Sequence, residues 1–113
     1  MLTDSERLRL RALLREQLDG TRARVVDLEE ELRSIVESSE GANIDDEHDP
    51  EGATIAFERA MVITLLETAR THVSELEHAL TGEADGRCSV CGDGIVWERL
   101  LAHPTATTCV GCA

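Results

Sequence analysis

Large aromatic side chains are nearly missing from this chain of 113 residues, which has one Phe, one Trp and no Tyr. The thick core of a β-sandwich or barrel usually needs more aromatic and β-branched runs than this. No apolar run approaches the roughly 20 residues that span a bilayer, and charged residues stand where a signal peptide would have its apolar segment. The composition therefore predicts a mainly α-helical, cytoplasmic protein without a membrane segment, packed with small aliphatic side chains.

Basic residues are also scarce, since 11 Lys and Arg stand against 23 Asp and Glu, for a net charge of −12. Residues 39–52 alone carry six acidic residues and no Lys or Arg. Binding to the phosphate backbone of nucleic acid needs a basic face, and none of the segments 1–38, 39–52, 53–82 and 83–113 is net basic, so direct sequence-specific binding of nucleic acid is not expected. A basic or metal-containing partner fits this charge better.

Two long helical segments flank the acidic one. Thr3 and Glu6 have the spacing of a capping box, which predicts the start of the first helix. Asp49 can serve as the N-cap of the second helix, because Pro50 suits the first helical position that follows it. The Gly at position 82 predicts the end of that helix.

Apolar residues in both segments recur in alternating steps of four and three, as in a coiled coil. The first seam consists of Leu14, Leu18, Val25, Leu28, Leu32 and Ile35. The second consists of Ile55, Arg59, Val62, Leu66, Ala69, Val73, Leu76 and Leu80. Gly20 is expected to cost the first helix about 1 kcal/mol without breaking it. Two such helices joined by a short turn must run antiparallel, so residues 1–82 are predicted to form a long antiparallel coiled-coil hairpin with an acidic tip at about 39–52.

The acidic tip is the predicted partner-binding site. Its carboxylates belong to Asp45, Asp46, Glu47, Asp49 and Glu51. Carboxylates that lie close together at a turn repel one another, which destabilises the turn. A cationic or metal-rich partner would offset this repulsion, whereas a purely structural loop would gain nothing from it. A solvated loop is the alternative interpretation. Neither segment shows a nucleophile and base pair or a phosphate-cradling loop, so an enzyme is not expected.

Four cysteines lie in the last part of the chain, in two C-x2-C pairs separated by seventeen residues: Cys88, Cys91, Cys109 and Cys112. Each pair can place two thiolates on one edge of a tetrahedron, and the two pairs together complete a four-coordinate zinc site. Four thiolates leave no open position for water or substrate, so the zinc is predicted to be structural. Residues 83–113 are thus expected to form a small C4 zinc finger that zinc folds, with a disulfide or redox pair as the alternative.

The residues of this finger resemble the DksA/TraR-type transcription factors. The pattern is C-x2-C-G-x2-I-x3-R-L-x-A-x-P-x-A-x2-C-x2-C, carried by Cys88, Cys91, Gly92, Ile95, Arg99, Leu100, Ala102, Pro104, Ala106, Cys109 and Cys112. The order of parts is also similar, with a long helix, an acidic turn containing Asp-Pro, a second helix and then the finger. The resemblance therefore covers nearly the whole chain.

The resemblance implies a protein that binds RNA polymerase, inserts its coiled-coil tip through the secondary channel toward the catalytic magnesium, and modulates promoter complexes, often together with guanosine tetraphosphate. The tip motif of the family is typically D-x-x-D-x-A, and the matching positions here are Asp49, Gly52 and Thr54, so that the first Asp alone is kept. Family members usually continue past the last cysteine into a helix that helps docking, and the resemblance does not extend to that helix. A zinc-stapled coiled-coil adaptor or dimerisation module without a polymerase role is the alternative function.

Overall fold

The structure is a computed structural model, and it describes residues 2–40, 50–82 and 86–113. Two long helices account for most of this part of the chain, α1 at Asp4–Glu40 and α2 at Pro50–Thr81. A short helix, α3, spans Trp97–Ala102, and a single 3₁₀ turn spans Val110–Cys112. The described ranges contain no β-strand, and their β-type pairing is an isolated antiparallel bridge between Arg87 and Gly94. The prediction of a mainly α-helical hairpin with a C-terminal finger is confirmed.

The N-terminus of α1 is held by the capping box that the sequence predicts. The backbone N–H of Glu6 donates to the hydroxyl of Thr3 over 3.1 Å, and the backbone N–H of Thr3 donates to the Glu6 carboxylate over 3.0 Å. These bonds satisfy donors that have no partner inside the helix. The helix then passes through Gly20 without a break.

The start of α2 at Pro50 and its end at Thr81 are also as predicted. Beyond that end, the backbone N–H of Gly82 donates to the carbonyl of His78 over 3.1 Å, which occupies an acceptor of the last turn. None of the helices in the described ranges is both long enough and apolar enough to span a membrane.

The chain divides into two compact units, of which the first comprises Met1–Gly20 and Val73–Ala113. Its core combines residues from the beginning of α1, the end of α2 and the finger. The buried members are Leu2, Leu10, Leu14, Leu18, Leu76, Cys88, Ile95 and Leu100. Leu14 and Leu76 are fully buried, and the part of the hairpin seam that lies in this unit forms one continuous cluster with the core of the finger.

The second unit comprises Thr21–His72 and contains the rest of both helices. Its core is the predicted seam, with Leu28 from α1 packed between α2 residues that the heptad also predicts. The cluster consists of Leu28, Val62, Leu66 and Ala69, with Val25, Leu32 and Ile35 partly buried against it. Arg59, the charged member of that seam, is exposed. An ion pair between Arg70 and Glu29, at 3.5 Å on the surface, adds little stability.

Candidate metal centre

The four cysteines come together at one point of the first unit. Their Sγ atoms all lie within 4.8 Å of one another, and the Sγ atoms of Cys91 and Cys109 are 3.7 Å apart. A zinc ion with sulfur ligands at about 2.3 Å in a tetrahedron requires S···S separations of about 3.8 Å. The donor set and its spacing therefore fit one zinc ion, and His103 is not part of the cluster.

The first pair of cysteines lies in a tight turn that leads away from the Arg87–Gly94 bridge. The backbone N–H of Gly92 donates to the carbonyl of Cys88 over 2.9 Å, and that of Cys88 donates to the carbonyl of Asp93 over 2.8 Å. Gly92 has a φ of 76°, in the left-handed region that favours glycine. This geometry brings Cys91 back beside Cys88.

The second pair lies on the 3₁₀ turn, where the backbone N–H of Cys112 donates to the carbonyl of Cys109 over 3.0 Å. Two further hydrogen bonds hold the residues just before Cys109. The Nε of Arg99 donates to the carbonyl of Thr108 over 2.9 Å, and the backbone N–H of Ser89 donates to the carbonyl of Thr107 over 2.8 Å. The first of these ties the second cysteine pair to α3, and the other ties it to the first pair.

The thiols differ in how readily they ionise. Backbone N–H groups of Cys91 and Cys109 stabilise the Cys88 thiolate and lower the pKa of Cys88 to about 6. Hydrogen bonds with the other three thiols, first with Cys109, raise the pKa of Cys112 to about 12. At Cys91 the backbone N–H of Asp93 favours the thiolate, but the bonds with Cys88 and Cys109 together with burial outweigh it and raise the pKa.

These directions follow from placing four potential negative charges within a few ångströms. The Cys88 thiolate forms readily, and the neighbouring thiols oppose ionisation of Cys91 and Cys112. A divalent cation removes that opposition, so zinc uptake at neutral pH releases protons, and zinc affinity falls as the pH is lowered. With four sulfur ligands the ion has no open position, and its role is structural.

Two leucines near the N-terminus pack in the same core as the finger, and the sequence analysis did not predict this packing. Leu10 and Leu2 precede the predicted seam, and both are buried in the cluster that contains Ile95 and Leu100. Leu10 stands four residues before Leu14, so the heptad step could have included it. The contact of Leu2 with the finger joins residues far apart in the sequence, and no local pattern predicts it.

The acidic tip lies for the most part outside the described residues. Asp45, Asp46, Glu47 and Asp49 fall within 41–49, which the structure does not describe. Glu51 lies in the first turn of α2, and its side chain is also outside the description. The role of these five carboxylates in partner binding stays a prediction. The division into a hairpin at 1–82 and a finger at 83–113 also stays a prediction.

Comparison with known proteins agrees with this geometry. Residues 85–113 match the family described as the prokaryotic dksA/traR C4-type zinc finger. The uncharacterized protein YteA of Bacillus subtilis (strain 168) is 41% identical over 66 residues, which make up 56% of this chain and 28% of that relative. The chain thus spans less than a third of the length of this curated relative.

A solved structure is similar over a longer range. The structure of transcription factor DksA2 from Pseudomonas aeruginosa gives a TM-score of 0.80 at 27% sequence identity, covering 96% of this chain and 81% of that one. The fold and the cysteine cluster together define a class of protein in which a helical hairpin carries a four-cysteine zinc finger. The finger at residues 85–113 matches the dksA/traR C4 type, and the chain as a whole is similar in fold to a DksA-type transcription factor. The cysteine cluster is the site of one structural zinc ion.

Proposed function

We propose that this chain is a DksA/TraR-type transcription regulator that acts by binding RNA polymerase. The observation that carries the proposal is the similarity to a transcription factor over nearly the whole chain, in which the helical hairpin and the zinc finger occur together. The family resemblance supplies the mode of action, in which the tip between α1 and α2 enters the secondary channel and modulates promoter complexes. Its place of action is the cytoplasm.

The charge distribution supports this mode. The tip segment carries the densest group of carboxylates in the chain, and a channel that leads to a catalytic magnesium ion offers cationic groups to receive them. The finger, by contrast, has a closed coordination shell and contributes shape and stability. Guanosine tetraphosphate is the small molecule that would act together with the chain on the polymerase.

Neutralisation of the tip tests the proposal. The variant combines Asp45→Asn, Asp46→Asn, Glu47→Gln and Asp49→Asn, which keeps a capping oxygen at position 49. It should lose its effect on promoter-complex lifetime in transcription assays with purified polymerase, because the attraction to the channel depends on these charges. Fold and zinc content should be unchanged.

A matched control removes the same number of acidic charges from exposed positions of α1, through Asp19→Asn, Asp27→Asn, Glu30→Gln and Glu37→Gln. This control should act on promoter complexes as wild type does. If core polymerase does not retain the wild-type chain in a pull-down, the proposal fails, and the alternative of a coiled-coil adaptor without a polymerase role is favoured. If it retains the chain and the tip variant acts as well as wild type, the acidic tip is only a solvated loop.

A further inference from the structure

The rest of the protein holds the two halves of the zinc centre unequally. The first pair, Cys88 and Cys91, lies on a turn whose two ends are joined, because the backbone N–H of Ile95 donates to the carbonyl of Gly86 over 2.6 Å, next to the isolated antiparallel bridge. Cys88 and Ile95 are themselves core residues, 3% and 5% exposed. Cys91 is exposed, but it belongs to the same turn. The first pair is therefore anchored to the core through the backbone on both of its sides.

The second pair lies on a segment, residues 107–113, that has less support from packing. The structure describes all of this segment, and none of its residues is buried. Val110, between the two cysteines, is 69% exposed. Cys109 and Cys112 pack against the core but are only partly buried. Side chains that bury so little apolar area hold a segment less firmly than a buried core residue does.

Hydrogen bonds supply much of the remaining attachment. Apart from a contact between sulfur atoms of the two pairs, two bonds join segment 107–113 to other described residues of the finger. The backbone N–H of Ser89, which lies within the first pair, donates to the carbonyl of Thr107 over 2.8 Å. The Nε of Arg99 donates to the carbonyl of Thr108 over 2.9 Å. This second bond holds the residue directly before the second pair against α3.

Arg99 can hold this segment because its own position in α3 is fixed. Leu100, the next residue, is 1% exposed and belongs to the core. The backbone N–H of Arg99 donates to the carbonyl of Val96 over 3.0 Å, and the backbone N–H of His103 donates to the carbonyl of Arg99 over 2.7 Å. The bond to Thr108 is partly buried and its donor is charged, so it is stronger than an exposed bond between neutral groups.

We infer that the zinc centre opens from its second pair of cysteines, and that Arg99 is the positioning residue that keeps this pair in place. Arg99 acts through the carbonyl of Thr108 and not as a ligand. Movement of segment 107–113 away from α3 separates the second pair from the first, and it breaks two hydrogen bonds between segments. Movement of the first pair would also pull two buried residues out of the core, so opening at the second pair requires less free energy.

Zinc transfer from the full zinc-loaded chain to excess 4-(2-pyridylazo)resorcinol measures how often the centre opens, and it needs no polymerase. Arg99→Met keeps an apolar stem but removes the donor, so its release rate should rise about tenfold, as expected for loss of a hydrogen bond from a charged group. Arg99→Lys, whose ammonium group can donate, should release zinc more slowly than Arg99→Met. Glu98→Met is the matched control, since Glu98 is the exposed neighbour in α3, and it should release zinc as wild type does.

Cobalt substitution shows whether the closed centre is the same in the variants. Arg99→Met loaded with Co(II) should have the tetrahedral four-thiolate absorption spectrum of wild type, because the substitution changes how often the second pair separates and not which atoms bind the metal. A spectrum with fewer thiolate ligands would show that Arg99 is needed to form the centre and not to keep it closed, which contradicts the inference.

Alkylation of the thiols identifies the pair that opens first, and it can be done on the wild type alone. The zinc-loaded chain is treated briefly with iodoacetamide and digested with chymotrypsin, which cleaves after Trp97 and Leu101 and so separates the two pairs. While most chains are still unlabelled, alkyl groups should be found several-fold more often on the second pair than on the first. The zinc-free chain unfolded in urea gives the intrinsic reactivity of each pair, by which the labelling is corrected. In Arg99→Met, labelling of the second pair should be about tenfold faster.

Labelling that begins at the first pair, or equally at both pairs, overturns the order of opening. A zinc release rate of Arg99→Met equal to that of wild type overturns the role of Arg99. So does a control, Glu98→Met, that releases zinc as fast as Arg99→Met, or a lysine at position 99 that slows release no more than methionine does.

Discussion

Two glycines of the finger have the same backbone conformation but different surroundings. Gly86 has a φ of 71° and Gly92 a φ of 76°. A Cβ atom at Gly86 would lie 2.8 Å from the Cγ atom of Leu2, whereas a Cβ atom at Gly92 would meet nothing within 4 Å. A glycine is therefore required at position 86 both by the positive φ and by the close contact with Leu2, whereas at position 92 it is required by the φ alone. Comparing substitutions at the two positions separates these two effects.

We expect Gly92→Ala to destabilise the zinc-loaded protein by about 1–2 kcal/mol, the cost of a left-handed residue with a Cβ. Gly86→Ala should cost at least about 1 kcal/mol more, because Leu2 must move out of a packed site. Urea denaturation of the two variants measures the difference. Combining Gly86→Ala with Leu2→Ala should recover part of the added cost, and equal losses for the two glycine variants would contradict the close contact.

At the residue scale, the sequence predicts the metal centre but not the packing contacts that support it. Ligand spacing is a local property of each C-x2-C pair, and so the clustering of Cys88, Cys91, Cys109 and Cys112 could be expected. The contact between Gly86 and Leu2 joins two ends of the chain, and no spacing rule reaches that far. Gly86 could have been noticed only as a glycine shortly before the first cysteine.

At the scale of helices, the predictions hold because helix ends depend on neighbouring residues. The capping box of Thr3 and Glu6 forms as predicted, and α2 begins at Pro50. The seams also follow from the heptad, since Leu28 and Val62 are buried together.

Gly20 is the position at which a substitution is most clearly expected to stabilise α1. It lies exposed within α1, and a Cβ atom there would meet nothing within 4 Å. Gly20→Ala should therefore stabilise the protein by about 0.5–1 kcal/mol, because it lowers the conformational entropy of the unfolded chain without a clash. Thermal unfolding should shift upward by a few degrees.

Gly82→Ala is a suitable comparison for this change. Gly82 lies just beyond the end of α2, where a Cβ atom would be 3.6 Å from the carbonyl oxygen of His78, so the gain seen in a helix interior is not expected. An unchanged or lower midpoint for Gly20→Ala would show that α1 needs a glycine at this position.

For the whole molecule, the structure shows how the zinc finger is joined to the helices. The sequence predicts a coiled-coil hairpin and a small finger that zinc folds. The structure places Cys88, Ile95 and Leu100 of the finger in one core with Leu10 and Leu76 of the helices. Loss of the metal therefore removes packing from the helix ends in the first unit, whereas the cluster around Leu28 and Val62 contains no residue of the finger.

Zinc removal tests this coupling. The protein purified under reducing conditions should contain one zinc per chain, and chelation should expose the amides of residues 86–113 to hydrogen exchange. Exchange should also speed up in residues 2–18 and 73–82, because Leu10, Leu14 and Leu76 lose their contacts with the finger. The amides around Leu28 and Val62 should keep most of their protection, and the helical circular dichroism should fall only slightly. Zinc added back should reverse all of these changes. If protection of residues 2–18 were unaffected while the finger unfolded, the first unit would not be one cooperative core, and the metal would stabilise the finger alone.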